Sequence, residues 1–208
     1  MIDLFLTTVL PIFMYAETHY RFPGWPSRLF RRVPEILADV PHRVRRGEPL
    51  PIAIIVKDSH RFPLEIDSVE VQIDGVANTF AVNHAIQQPL WHTLLYLSMP
   101  DHLAGRVAVN VIIHARCNGK LLLVANDNFP TASHRPFSLF IDTQPLPGAD
   151  HCLWGDLHCH SEFTDDQVEF GPPLPVLTAM AKAVGLNVVG ITDHSYDRSE
   201  EHTSELQS

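Results

Sequence analysis

The stretch Val107-Ala-Val-Asn-Val-Ile-Ile113, followed by Leu121-Leu-Leu-Val124 across Asn118-Gly119, is the most informative part of the sequence. Both arms are rich in β-branched and aliphatic residues, which suit a pleated surface buried on at least one side. The Asn-Gly pair between them supplies two residues that tolerate positive φ, the requirement of a type I′ hairpin turn. The segment therefore predicts a β-hairpin.

Working outward, Ile52-Ala-Ile-Ile-Val56 reads as a continuous buried strand. Val69, Val71 and Ile73 alternate with Glu70, Gln72 and Asp74 before Gly75, the pattern of a half-buried strand that ends in a turn. Trp91 to Leu97 and Phe137 to Ile141 add further β-rich runs. Strands at short spacing with no helix between them predict an antiparallel β-sandwich-like domain over residues 48–143. Residues 1–47 form a lead segment with Arg21, Arg28, Arg31, Arg32, Arg43, Arg45 and Arg46, read either as an anion-contacting arm or as a solvated face wrapping the next domain. Its apolar run Leu4 to Tyr15 is short, contains Pro11 and follows Asp3, so it is expected to join a core and not to act as a signal peptide. The histidines His60, His84, His92, His102, His114 and His134 share no ligand spacing and are read as surface or packing residues.

Gln144-Pro-Leu-Pro-Gly-Ala-Asp150 is a linker by composition, and a different pattern follows it. In Leu153-Trp-Gly-Asp-Leu-His-Cys-His160 a strand would project His158 and His160 from one face and Cys159 from the other. A helix is predicted next, with Pro175 in its first turn, Leu177, Met180 and Val184 at helical spacing, and Gly185 at its end. Val188-Val-Gly-Ile-Thr192 is a second strand running into Asp193-His194. Strand, helix and strand in this order predict a right-handed βαβ unit whose parallel strands end at one rim. His194 is then expected beside His158 and His160.

The string Gly155-Asp-Leu-His-Cys-His-Ser161, with Thr164-Asp165 and then Gly190-Ile-Thr-Asp-His194, resembles the first two motifs of the PHP (polymerase and histidinol phosphatase) family. It is similar to the CehA/McbA-like metallohydrolase branch, which also places a β-rich domain before the catalytic one. The resemblance covers residues 153 to about 197. It implies that residues 151–197 open a (β/α)7 barrel, so the fold class expected is mixed: a sandwich-like domain followed by the first βαβ unit of that barrel. It implies two or three Zn, Mn or Fe ions, with His158, His160, Asp165 and His194 as ligands and Asp193 and Asp156 supporting them from outside. The family usually has Gly where Asp166 stands, so Asp166 is an alternative to Asp165. The chemistry implied is hydrolysis by a metal-bound hydroxide, on phosphoesters first, with esters and carbamates left open. General acid and base groups are expected from later sequence. A catalytically dead scaffold or binding protein with a structural metal site is the alternative. Cys159 is read as a small buried residue and not a ligand.

At 208 residues, 45% apolar and 19% charged, the chain has the balance of a globular protein. A formal net charge of −9 argues against non-specific binding to nucleic acid or an anionic membrane, which requires a basic face. Three cysteines, Cys117, Cys152 and Cys159, form no CxxC pair, so a reducing, cytoplasmic location is expected. The PHP resemblance implies a small-molecule phosphoester or related ester substrate as partner. The tail from Arg198 to Ser208 reads as the translation of a short-read sequencing adapter. It is expected to be foreign, with the natural sequence continuing past Asp197.

Overall fold

The computed structural model describes residues 33–129, 134–164 and 171–194. The lead segment as far as residue 32, Asp165, Asp166 and the tail from 198 to 208 lie outside the described residues.

In chain order the elements are β1 (Glu35–Asp39), β2 (Arg43–Arg45), β3 (Leu50–Lys57), β4 (Leu64–Ile73), β5 (Val76–Ile86), β6 (Leu90–Leu97), β7 (Gly105–Cys117), β8 (Lys120–Ala125), β9 (Phe137–Asp142), β10 (Gly155–Cys159), α1 (Leu174–Val184) and β11 (Val188–Ile191). β7 and β8 form the expected hairpin, pairing from Cys117–Lys120 outward, with Asn118 and Gly119 at φ 52° and 73°. A side chain at Gly119 would be strained by that backbone.

The strands make three sheets. One has the order β1-β3-β6. A larger one runs β2-β9-β7-β4-β5, with β8 also on β7. The long β7 shares one edge between β9, along residues 105–109, and β8, along 112–117. These two sheets close over a common core that includes Ile36, Ile52, Ile54, Val71, Ile113 and Leu139. Alternation explains the arrangement: Ile52, Ile54 and Val56 of β3 enter that core, while Ala53 and Ile55 point the other way. The third sheet is the parallel pair β10-β11.

Two features correct the expected fold class. The larger sheet is mixed, not antiparallel, because β2 runs parallel to β9. The chain is mostly strand with a single helix among the described residues, and the opening βαβ unit of a (β/α)7 barrel is not what forms. Although α1 lies between β10 and β11 in sequence, its main packing is against β2, β3 and β6. Val176, fully buried, and Met180 sit on Ala53, Ile55, Leu37, Leu90 and Leu94. The physical reason is area: the outer face of a three-stranded sheet offers the helix a broad apolar seat, and a two-stranded pair does not. Leu157, Val188 and Ile191 of that pair stay exposed.

Arg43, the first residue of β2, fastens the helix to the larger sheet. Arg43 is buried and donates to Asp142 Oδ2 at 3.0 and 3.1 Å, to Gln144 O and to Val184 O at the end of α1. Gly185 caps that end with φ 99°. Among the described residues, no helix is long and apolar enough to cross a membrane.

Candidate functional site

The C-terminal ends of β10 and β11 hold the residues that the sequence singled out. Gly155 pairs with Val188 and Asp156 with Val189, and after a register shift Cys159 pairs with Ile191. This places His158 and His160, at the end of β10, next to His194, just past β11. The rings of His158 and His160 are 5.2 Å apart between centroids, tilted by 49°. Those of His160 and His194 are 4.6 Å apart and nearly perpendicular, at 82°. His194 thus joins His158 and His160 in one cluster across more than thirty residues of sequence.

The loop after β10 is fixed by polar contacts. Asp193 accepts hydrogen bonds from the Ser161 amide and the Ser161 hydroxyl, both at 2.5 Å. The Ser161 hydroxyl oxygen in turn accepts from Phe163 N at 3.2 Å. Thr164 Oγ1 accepts from the His194 amide at 3.0 Å. Ser161 is fully buried and Thr164 nearly so. Burial works to raise the Asp193 carboxyl, but the two Ser161 donors and the neighbouring His160 and His194 outweigh it and hold the group below the ordinary carboxylate range. Asp156 accepts from the His158 amide at 3.1 Å. Burial, with Asp156 beside it, pushes the Cys159 thiol up to about 11, so it is protonated at neutral pH.

Whether the cluster suits a metal can be judged from its donors. Neutral imidazoles are common ligands of zinc and related ions, and three around one ion at about 2.1 Å per nitrogen would have ring centres roughly 5 Å apart. The observed spacing agrees. Convergence does not: among the described residues, no three donors of His, Cys, Asp or Glu are grouped as a metal site groups them. The edge-on packing of His160 against His194 is a ring contact, and a shared ion would need these rings to turn. The donor set therefore fits in kind and neighbourhood but not in its present orientation. Asp165, the remaining expected ligand, and Asp166 lie outside the described residues.

Gly171 carries no signal in the sequence, and Ser161 and Thr164 lie within the motifs without a role assigned to them. Gly171 lies so close to the His160–Ser161 peptide that a Cβ there would overlap His160 O, His160 C and Ser161 N. The roles of Ser161 and Thr164 appear only once Asp193 and His194 are placed opposite them. Of the scattered histidines, His84 stacks on Trp91 at 5.3 Å, His102 meets Asp74 at 3.3 Å and His114 meets Glu70 at 3.8 Å. Compared with known proteins, the chain matches no family model and no curated protein.

Proposed function

We propose that this chain contributes to a divalent-metal-dependent hydrolase of the PHP type, acting on small phosphoesters, with His158, His160 and His194 among its metal ligands and Asp165 as the acidic one. The observation that carries the reading is the meeting of the three imidazoles at one rim, since the motifs resembling the PHP family predict that meeting from residues distant in sequence. Asp193 and Asp156 serve the cluster by fixing the backbone around it, through Ser161 and His158 respectively. A bound cation would supply Lewis acidity and an activated water. The chain's own residues hold the imidazoles in place and keep Cys159 protonated beside them.

The test is equilibrium dialysis of the purified chain against zinc, manganese and iron(II), repeated with His160→Ala and His194→Ala, alongside assays of generic phosphoesters with and without chelator. Metal binding that falls in both variants is the expected result. Unchanged metal content in both would overturn the ligand set. Turnover of phosphoesters, esters or carbamates is expected only of a protein that also carries the later sequence with the general acid and base groups, and metal binding without turnover there would favour the alternative of a structural metal site on a binding protein.

A further inference from the structure

The loop between His160 and Thr164 is held from two sides. On one side Asp193 takes both the amide and the hydroxyl of Ser161, and Thr164 takes the amide of His194. These contacts cross-link the loop after β10 to the residues after β11, the two places where the clustered histidines sit. On the other side, Gly171 leaves no room for a Cβ beside the His160–Ser161 peptide. There the Glu162 amide donates to Pro172 O at 3.1 Å, and the Leu174 amide donates to Glu162 Oε1 at 3.4 Å. Any side chain at position 171 must displace the peptide that carries His160, because the atoms it would strike are backbone and cannot swing aside.

The geometry points to a positioning clamp: Ser161, Thr164 and Gly171, acting with Asp193, set the His160 and His194 backbones so that their imidazoles are held together before any ligand arrives. None of the four contributes a metal donor in this role. Its physical basis is preorganisation of the backbone: imidazoles already gathered need only turn about their side-chain bonds to face one ion, and so lose less conformational freedom on binding than imidazoles that must first be brought together. The burial of Ser161 and Thr164 makes the contacts costly to break, since a buried Ser161 or Thr164 hydroxyl without its partner must bear the full loss of hydration. The purpose assigned to the clamp rests on the metal reading above, while its geometry stands independently of it.

The experiment separates the two. Histidine-labelled protein, free of metal, is examined by NMR as wild type, Ser161→Ala, Thr164→Val, Thr164→Ser and Gly171→Ala. In the wild type the His160 and His194 ring signals carry the mutual shift of an edge-on contact. Those signals are expected to move or broaden in Ser161→Ala, Thr164→Val and Gly171→Ala, and to be kept in Thr164→Ser, which retains the hydroxyl acceptor. Methyl signals of Ile54 and Ile113 should stay in place, which distinguishes local repositioning from unfolding. Zinc titration of the same proteins is expected to show affinity about 10- to 100-fold weaker in the variants that lose the clamp. Unchanged ring signals in both Ser161→Ala and Thr164→Val would overturn the clamp, whatever zinc does. Should Gly171→Ala fail to fold, those two variants still decide. A wild type that binds no zinc overturns the metal reading and leaves the ring signals to judge the clamp alone.

Discussion

Asn126, directly after β8, is expected to be among the most sensitive positions in the chain, although it is neither apolar nor near the histidine cluster. It is 1% exposed, and its side chain is occupied on both ends. Oδ1 accepts from the buried amide of Val111 at 2.8 Å, while Nδ2 reaches Arg135 O at 2.9 Å, Asn110 Oδ1 at 3.2 Å and His134 O at 3.4 Å. The backbone works as hard, for Asn126 N donates to Val111 O and Asn126 O accepts from Ala38 N, so a single residue ties β7, β1 and the segment before β9 together. Its φ of 63° lies in the left-handed region, which Asn tolerates and Ala does not. In Asn126→Ala the Val111 amide loses its side-chain acceptor in a dry environment, at about 1–3 kcal/mol, and the lost amide bonds add about 1 kcal/mol. Left-handed strain adds about 1 kcal/mol more. The expected loss is about 3–5 kcal/mol, or a melting temperature lowered by about 10 °C or more. Asn126→Gly loses the same hydrogen bonds but not the backbone fit, so it should be less damaging than Ala by about 1 kcal/mol. Urea unfolding with a common slope for the three proteins measures both quantities. A loss under about 1 kcal/mol in the Ala variant, or an Ala variant more stable than the Gly variant, would refute this account of the residue.

Cys159 and Cys152 should differ in reactivity. With its thiol at about 11, Cys159 is ionised in only about one molecule in a thousand at pH 8, so iodoacetamide should label exposed Cys152 well before it; mass spectrometry over time checks this, and equal rates would contradict the assignment. Stability should also fall in acid through Asp142, whose carboxyl is held below its ordinary value by the Gln144 amide first, with the Arg43 hydrogen bond and charge also outweighing the effect of burial. Because the folded value is depressed, this contribution is present above the unfolded value of about 3.9 and lost as pH falls through the folded one. Asp142→Asn should therefore flatten the stability profile below about pH 4, and denaturation curves at stepped pH that leave the slope unchanged would count against it.

What the sequence revealed follows from the range over which each signal acts. The hairpin at Asn118-Gly119 is specified by two adjacent residues and their backbone preferences, and it forms in the expected place. The same holds for β3, Leu50–Lys57, which is buried throughout and contains the apolar run Ile52–Val56, and for α1, which begins at Leu174 beside Pro175 and stops at Gly185. Arg43 shows the opposite case. Within its own neighbourhood it is one of several arginines suited to a solvated or anion-contacting arm. Its structural role is set by Asp142, ninety-nine positions away, which makes it a buried cross-link. β5 was not anticipated either: Asn78, Phe80 and Val82 turn inward while Ala77, Thr79 and Ala81 turn out, so its inner face is only partly apolar. The barrel expectation failed for a related reason. Helical periodicity identifies the face that α1 will bury, but it carries no information on which sheet will receive that face.

That choice of sheet has a consequence for the histidine cluster. Had α1 covered only β10 and β11, the cluster would have been carried by a narrow two-stranded unit attached through the linker. Instead the helix is seated on β3 through Val176 and Met180, and its two ends are fastened in different directions. The C-terminal end is held by Arg43, which also binds Asp142 and the Gln144 carbonyl and so joins the helix, the larger sheet and the start of the linker at one guanidinium. The N-terminal end meets the loop after β10, where Leu174 N reaches Glu162 and Gly171 abuts the His160–Ser161 peptide. A guanidinium makes this junction well because its planar fork satisfies several acceptors without conformational adjustment, which an ammonium on a flexible stem cannot match. Position therefore passes from the β core through one docked helix to His160, and from His160 through Ser161 and Asp193 to His194. The precision of the cluster is borrowed from the large apolar core, since the two short strands that bear the histidines bury too little surface to provide it themselves.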